Sequence, residues 1–175
     1  MRIFADGWRS RQLARLGDKR WKGLYSLVSL AGLVLIVWGY GLTRAAPDWW
    51  SPPLWTRHAA ALLTVPSFVL LAAAYVPKNH LKAALGHPML AGVQFWAFAH
   101  LIANGRPGDV LLFGAFLAWA IAGFISARRR DHAAGTHYLP GTMSGDLLAA
   151  AIGLLAWALF AFYGHQWLIG VRPIG

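Results

Sequence analysis

The chain contains no cysteine among its 175 residues. That excludes disulfides, thiolate metal sites, iron–sulfur clusters and covalent c-type haem attachment, and it carries no information about compartment. Glutamate is also missing: the six acidic residues are all aspartates, Asp6, Asp18, Asp48, Asp109, Asp131 and Asp146. Each falls in a loop or at the edge of an apolar run, so no carboxylate stands at mid-membrane. Proton- and cation-coupled carriers usually keep one there despite its cost, and a secondary transporter is disfavoured. There is no hydrolase elbow, no phosphate-cradling glycine loop with its lysine, and no HExxH or paired-carboxylate site. The ANGRPG stretch at 103–108 reads as a helix stop and turn. A cleaved signal peptide is not expected. The first apolar run exceeds the roughly 7–15 residues of a signal core, and 22 mostly polar residues precede it.

What the chain has in abundance is apolar sequence. Hydrophobic residues make up 58% and charged residues only 13%, and several runs approach the roughly 20 residues a helix needs to cross a bilayer. The runs are apolar around the whole helix rather than along one stripe. The expected fold is all-α: a polytopic integral membrane protein, one domain over 1–175, with about five transmembrane helices in a bundle. The spans are placed at about 23–42, 56–76 with Pro66 as a kink, 88–104, which is short, 109–127 and 147–169. No internal repeat or linker is visible.

The formal charge of +10 is distributed by loop. Arg2, Arg9, Arg11, Arg15, Lys19, Arg20, Lys22, Lys78, Lys82, Arg128, Arg129 and Arg130 fall on one face, and Arg44, Arg57, Arg106 and Arg172 on the other. Twelve against four is the positive-inside pattern, which puts the N-terminus in the cytoplasm and the C-terminus outside. It also makes nucleic acid an unneeded explanation for the charge and makes lipid headgroups natural contacts. Trp49, Trp50, Trp55 and Trp167 fall where an interfacial aromatic belt would lie. The basic segment 1–22 mixes apolar and basic residues; it fits an amphipathic surface helix and a loop equally well.

Histidine is the polar residue left inside the membrane. GHPMLAGVQFWAFAHLIANG, 86–105, holds His87 at its basic-face edge and His100 and Asn104 one turn apart. His87 and His100 are separated by about 18–20 Å of helix rise and point to nearly opposite sides, so they cannot grip one metal together. His165 and His58 join His100 in the outer half. Neutral imidazoles without thiolates or carboxylates suit haem better than zinc or magnesium. Phe95, Trp96, Phe98 and Trp119 are candidate walls, and Arg57, Lys82 or Arg106 candidate propionate partners. The plainer alternative is a structural histidine, with Asn104 as its partner or as a bond across helices. His132 and His137 are expected in solvent.

The segments LYSLVSLAGLVLIVWGYG (24–41), SPPLWTRH (51–58), GHPMLAGVQFWAFAHLIANG (86–105) and DVLLFGAFLAW (109–119) resemble the bacterial NnrU family. The likeness covers about residues 10–130, and the succession HPM, AHL, ANG, LLFG is its specific part. It implies an association with denitrification, in which family members accompany nitrite and nitric oxide reduction. The chain is also similar to 15-cis-zeta-carotene isomerase, which implies haem b on histidine ligands and redox-controlled isomerisation of a lipophilic substrate. By that resemblance His87 and His100 occupy the motif positions expected to touch haem. The family pattern usually begins with one more hydrophobic helix bearing a histidine opposite His87, whereas this sequence begins at Met1 just past it. The expectation is thus an inner-membrane haem b protein, if an enzyme then an isomerase or redox protein. The alternative is a non-catalytic accessory of nitrite and nitric oxide reductases with structural histidines. A lipophilic-substrate transferase lacks any nucleotide-binding signature. Gly32, Gly39 and Gly41 hint weakly at an oligomer.

Overall fold

The computed structural model describes residue 3 and residues 5–174; Met1, Arg2 and Phe4 of the basic segment lie outside the described residues. All regular structure among them is helical: α1 (Asp6–Thr43), α2 (Leu54–Tyr75), α3 (His80–Leu85), α4 (Pro88–Ala103), α5 (Pro107–Ala133), α6 (Met143–Leu159), a π-helical turn (Phe160–Gly164) and α7 (His165–Ile169). Four segments are long and apolar enough to cross a membrane, α1, α2, α5 and the continuous run Met143–Ile169. The fifth expected span, α4, has 16 residues, which at about 1.5 Å each falls short of a roughly 30 Å hydrocarbon core. It lies nonetheless at the centre, packed between α2 and α5, while α2 also carries α6.

Small residues set these contacts. Ala73, Ala97, Ala99, Ala120 and Ala149 are fully buried. Between α2 and α4, Ser67 Oγ donates to the Gly92 carbonyl at 2.8 Å. A Cβ on Gly153 of α6 would stand 2.5 Å from Val69 Cα of α2. Bilayer proteins gain no hydrophobic drive between helices, so close backbone approach and interhelical hydrogen bonds carry the packing. α2 continues as a helix past Pro66, the expected position of a kink, and packs against α4 and α6 along its length.

The basic segment is helical from Asp6 but breaks at Gly17, whose φ of 76° and ψ of 162° leave the helix. Trp8 meets Trp21 edge-on across that break, with centroids 5.8 Å apart. Beyond it, the apolar stretch of α1 has no buried residue, and Cβ atoms on Gly32, Gly39 or Gly41 would meet nothing within 4 Å. α1 contacts the bundle through α5, where Tyr40 Oη donates to Asp109 Oδ1 at 2.6 Å. Asp109, expected at a span edge, lies in the first turn of α5, where the helix dipole favours an anion, and is only 5% exposed.

Two polar ends result. At one lie the start of α1, α3, and the end of α5 with Arg128, Arg129 and Arg130; at the other the 44–53 loop docks on the α4–α5 turn through Trp49 N–H to the Gly105 carbonyl at 2.9 Å. At the basic end Asn79 is the largest fully buried side chain. It caps α3 by accepting from Lys82 N at 2.7 Å and donates to the Ala73 and Val76 carbonyls at 2.9 and 2.7 Å. Among the described residues no buried side-chain nitrogen or oxygen is left without a hydrogen bond.

Candidate functional site: an imidazole pair among aromatic rings

His100 sits in the last turn of α4, held away from the basic end by the length of the helix. Its Nδ1 lies 2.8 Å from the Trp96 carbonyl. A carbonyl only accepts, so Nδ1 carries the proton and Nε2 keeps the lone pair. His165 arrives from another segment. The π-helical turn Phe160–Gly164 inserts the extra backbone that sets its position at the start of α7. Gly170, at φ 81°, then reverses the chain so that the Val171 carbonyl accepts from His165 Nδ1 at 2.7 Å. The two ring centroids are 6.5 Å apart with planes 24° from parallel.

Aromatic rings pack against His100, and one meets His165. Phe113 lies 4.5 Å and Trp96 5.1 Å from the His100 centroid, Phe116 packs edge-on against Trp96, and Phe160 meets His165 at 5.8 Å. Phe95, Phe98 and Trp119, expected as walls, face outward and are about half exposed. Phe113 and Phe116 replace them; the phase of α5 after Asp109 was the available signal. Asn104 is the C-cap residue of α4, and its amide donates to the His100 backbone carbonyl at 2.8 Å rather than to the ring. The ring already has a nearer partner one turn back, which is why the i+4 spacing misled.

The remaining candidates lie elsewhere. His58 and Arg57 are exposed in the first turns of α2. Lys82 Nζ donates to the Ala74 carbonyl at 2.8 Å, closing the end of α2, and Arg106 pairs with Asp48 at 3.3 Å. Among the described residues no three histidine or aspartate side chains gather as a metal site, so His58 does not join His100 and His165.

His87 belongs to a different cluster. It is the N-cap residue of α4, and its Nε2 lies 2.6 Å from Asp131 Oδ2. Tyr138 donates its hydroxyl to the same oxygen and meets the His87 ring edge-on at 6.4 Å. Asp131 stands past the arginines that close the apolar part of α5. The Tyr138 hydroxyl first, and His87 after it, hold its carboxyl below the usual carboxylate range, while burial and Asp131 push the Tyr138 hydroxyl up. Nε2 of His87 donates to this carboxylate, which leaves the ring's lone pair on Nδ1.

A b-type haem needs one or two neutral imidazole ligands inside apolar and aromatic walls. His100 and His165 fit that need on three grounds: the lone pair at Nε2, the carbonyl that orients each ring from behind, and the rings around them. His87 stands apart from these rings, bonded to Asp131 in a polar cluster with Tyr138.

The fold and this cluster define a polytopic helical membrane protein with a pair of oriented histidines. The chain matches the family described as NnrU protein over residues 1–173, essentially its whole length, and it belongs to that family. The match extends beyond the 10–130 region that carries the motifs, into α6 and α7 with His165. No curated protein matches the chain, and no solved structure does.

Proposed function

We propose that this NnrU-family chain is a b-type haem protein of the bacterial inner membrane, in which His100 and His165 would hold the haem. Its field of action is nitrite and nitric oxide metabolism or the redox-controlled isomerisation of a lipophilic molecule. The observation that carries the reading is the imidazole pair, each ring tethered at Nδ1 by a backbone carbonyl within one aromatic cluster. When bound, haem would supply one-electron redox chemistry and, where an axial position opens, a site for a small ligand. The chain's own part is to orient two imidazoles through the Trp96 and Val171 carbonyls and to exclude water with Trp96, Phe113 and Phe160.

A second reading draws on the 4.5 Å approach of Phe113 to His100. An imidazole packed so closely also serves as a structural element in a non-catalytic accessory of nitrite and nitric oxide reductases. Visible spectra of the detergent-purified protein, air-oxidised and then dithionite-reduced, separate the two. We expect a Soret band that shifts on reduction, is lost or altered in His100→Ala and His165→Ala, and survives in His87→Ala. A wild-type protein that stays colourless after haem is added would remove the haem reading and leave the accessory role. Loss of the band in His87→Ala alone would move the ligand to the other end of α4.

A further inference from the structure

Asp109 is the only buried acidic side chain among the described residues. The last turn of α1 closes over it. Thr43 stands so near Gly108 that no Cβ would fit there, and Tyr40 Oη donates to Asp109 Oδ1 at 2.6 Å. Both neighbours are neutral. No lysine, arginine or histidine among the described residues lies within ion-pair reach of Asp109. The arginines of this end are engaged elsewhere, Arg106 with Asp48 at 3.3 Å and Arg44 with the Ile169 carbonyl at 3.2 Å.

A buried carboxylate without a counter-cation is costly, and an ionisable side chain within a membrane span marks a functional site. Its position says which one. Asp109 and Phe113 are one turn apart on the same face of α5, and the Phe113 ring lies 4.5 Å from the His100 ring. The carboxylate thus stands one turn beyond the ring that packs on His100, and its field reaches that imidazole. Away from water such a charge acts with little screening.

We propose that Asp109 sets the redox poise of the His100–His165 site: its buried negative charge favours the oxidised, more positive state of a haem held there and so lowers the midpoint potential. This rests on the haem reading given above. Burial and the dielectric around a haem are levers by which a protein tunes its potential, and a fixed charge in that dielectric acts on the oxidised and reduced states unequally. Tyr40 is the positioning residue that keeps the carboxylate where it is.

The test is a spectroelectrochemical titration of the full chain in detergent, loaded with haem b and followed at the Soret band. Asp109→Asn removes the charge and keeps an oxygen for Tyr40 to donate to. Its midpoint potential should move positive of the wild type while the oxidised and reduced spectra stay the same, a result that a merely structural role would not give. Asp109→Glu keeps the charge and should titrate close to the wild type. Asp18→Asn removes an exposed carboxylate at the basic end and should leave the potential where it was, because water and salt screen it. Asp109→Ser is a second neutral replacement for the case in which the asparagine variant does not fold. An unmoved or more negative potential in the neutral variants, or an equal shift in Asp18→Asn, would overturn the proposal and leave haem binding intact. A wild type that takes up no haem would overturn both the proposal and the reading beneath it.

Discussion

At the scale of the residue, Asp109 decides how the most exposed helix is held. An almost fully buried carboxylate is costly unless it is bonded, and Tyr40 meets it with a single short bond from a position 69 residues away. Because the α1 apolar stretch buries nothing else, Tyr40→Phe should cost about 1.5–3 kcal/mol, the range for a hydrogen bond to a charged group. Hydrogen exchange should rise around residues 36–43, while Tyr25→Phe, exposed on the same helix, changes neither quantity. Unchanged melting and exchange in Tyr40→Phe would show that α1 is held by something else. Spacing alone could place Asp109 only at the edge of a span, since nothing local marks a partner so distant in sequence. The histidines divide the same way. That His87 and His100 act separately was legible from 13 steps at about 100° each. That Asp131 ties up Nε2 of His87 was not, because the carboxylate comes from the far end of another helix.

At the scale of the element, apolar runs marked where long helices would form because the bilayer demands continuous apolar length, but not that α1 begins at Asp6 or that α5 runs on to Ala133. What composition hid is irregularity within a run. The π-helical turn at Phe160–Gly164 keeps the same apolar character as its flanks, yet it sets where His165 stands. The absence of a side chain at Gly153 likewise looks unremarkable until α2 is seen against it. Gly153→Ala would drive a Cβ to 2.5 Å from Val69 Cα, and backbone cannot yield as a side chain tip can. We expect about 1–3 kcal/mol of destabilisation, as for overpacking elsewhere, read as a lower melting temperature in detergent. Gly114→Ala, where a Cβ meets nothing within 4 Å, should be neutral or slightly stabilising through helix propensity. Equal effects at the two glycines would mean that α6 does not pack on α2 as described.

At the scale of the whole molecule, charge and fold agree on two unlike ends, and the missing cysteines make their orientation directly measurable. The α5–α6 loop lies at the end that carries Arg128, Arg129 and Arg130, and the 44–53 loop lies at the other, bonded to Gly105. Twelve of the sixteen lysines and arginines belong to loops of the first kind, and translocation leaves such loops on the cytoplasmic side. Any cysteine introduced into this chain is the only thiol present, so Ser51→Cys and Thr136→Cys, both at exposed positions, each report one end without interference. In intact spheroplasts a membrane-impermeant maleimide should label Ser51→Cys at once and Thr136→Cys only after lysis. The reverse pattern would invert the protein, moving the His100–His165 cluster from the outer to the inner half of the membrane.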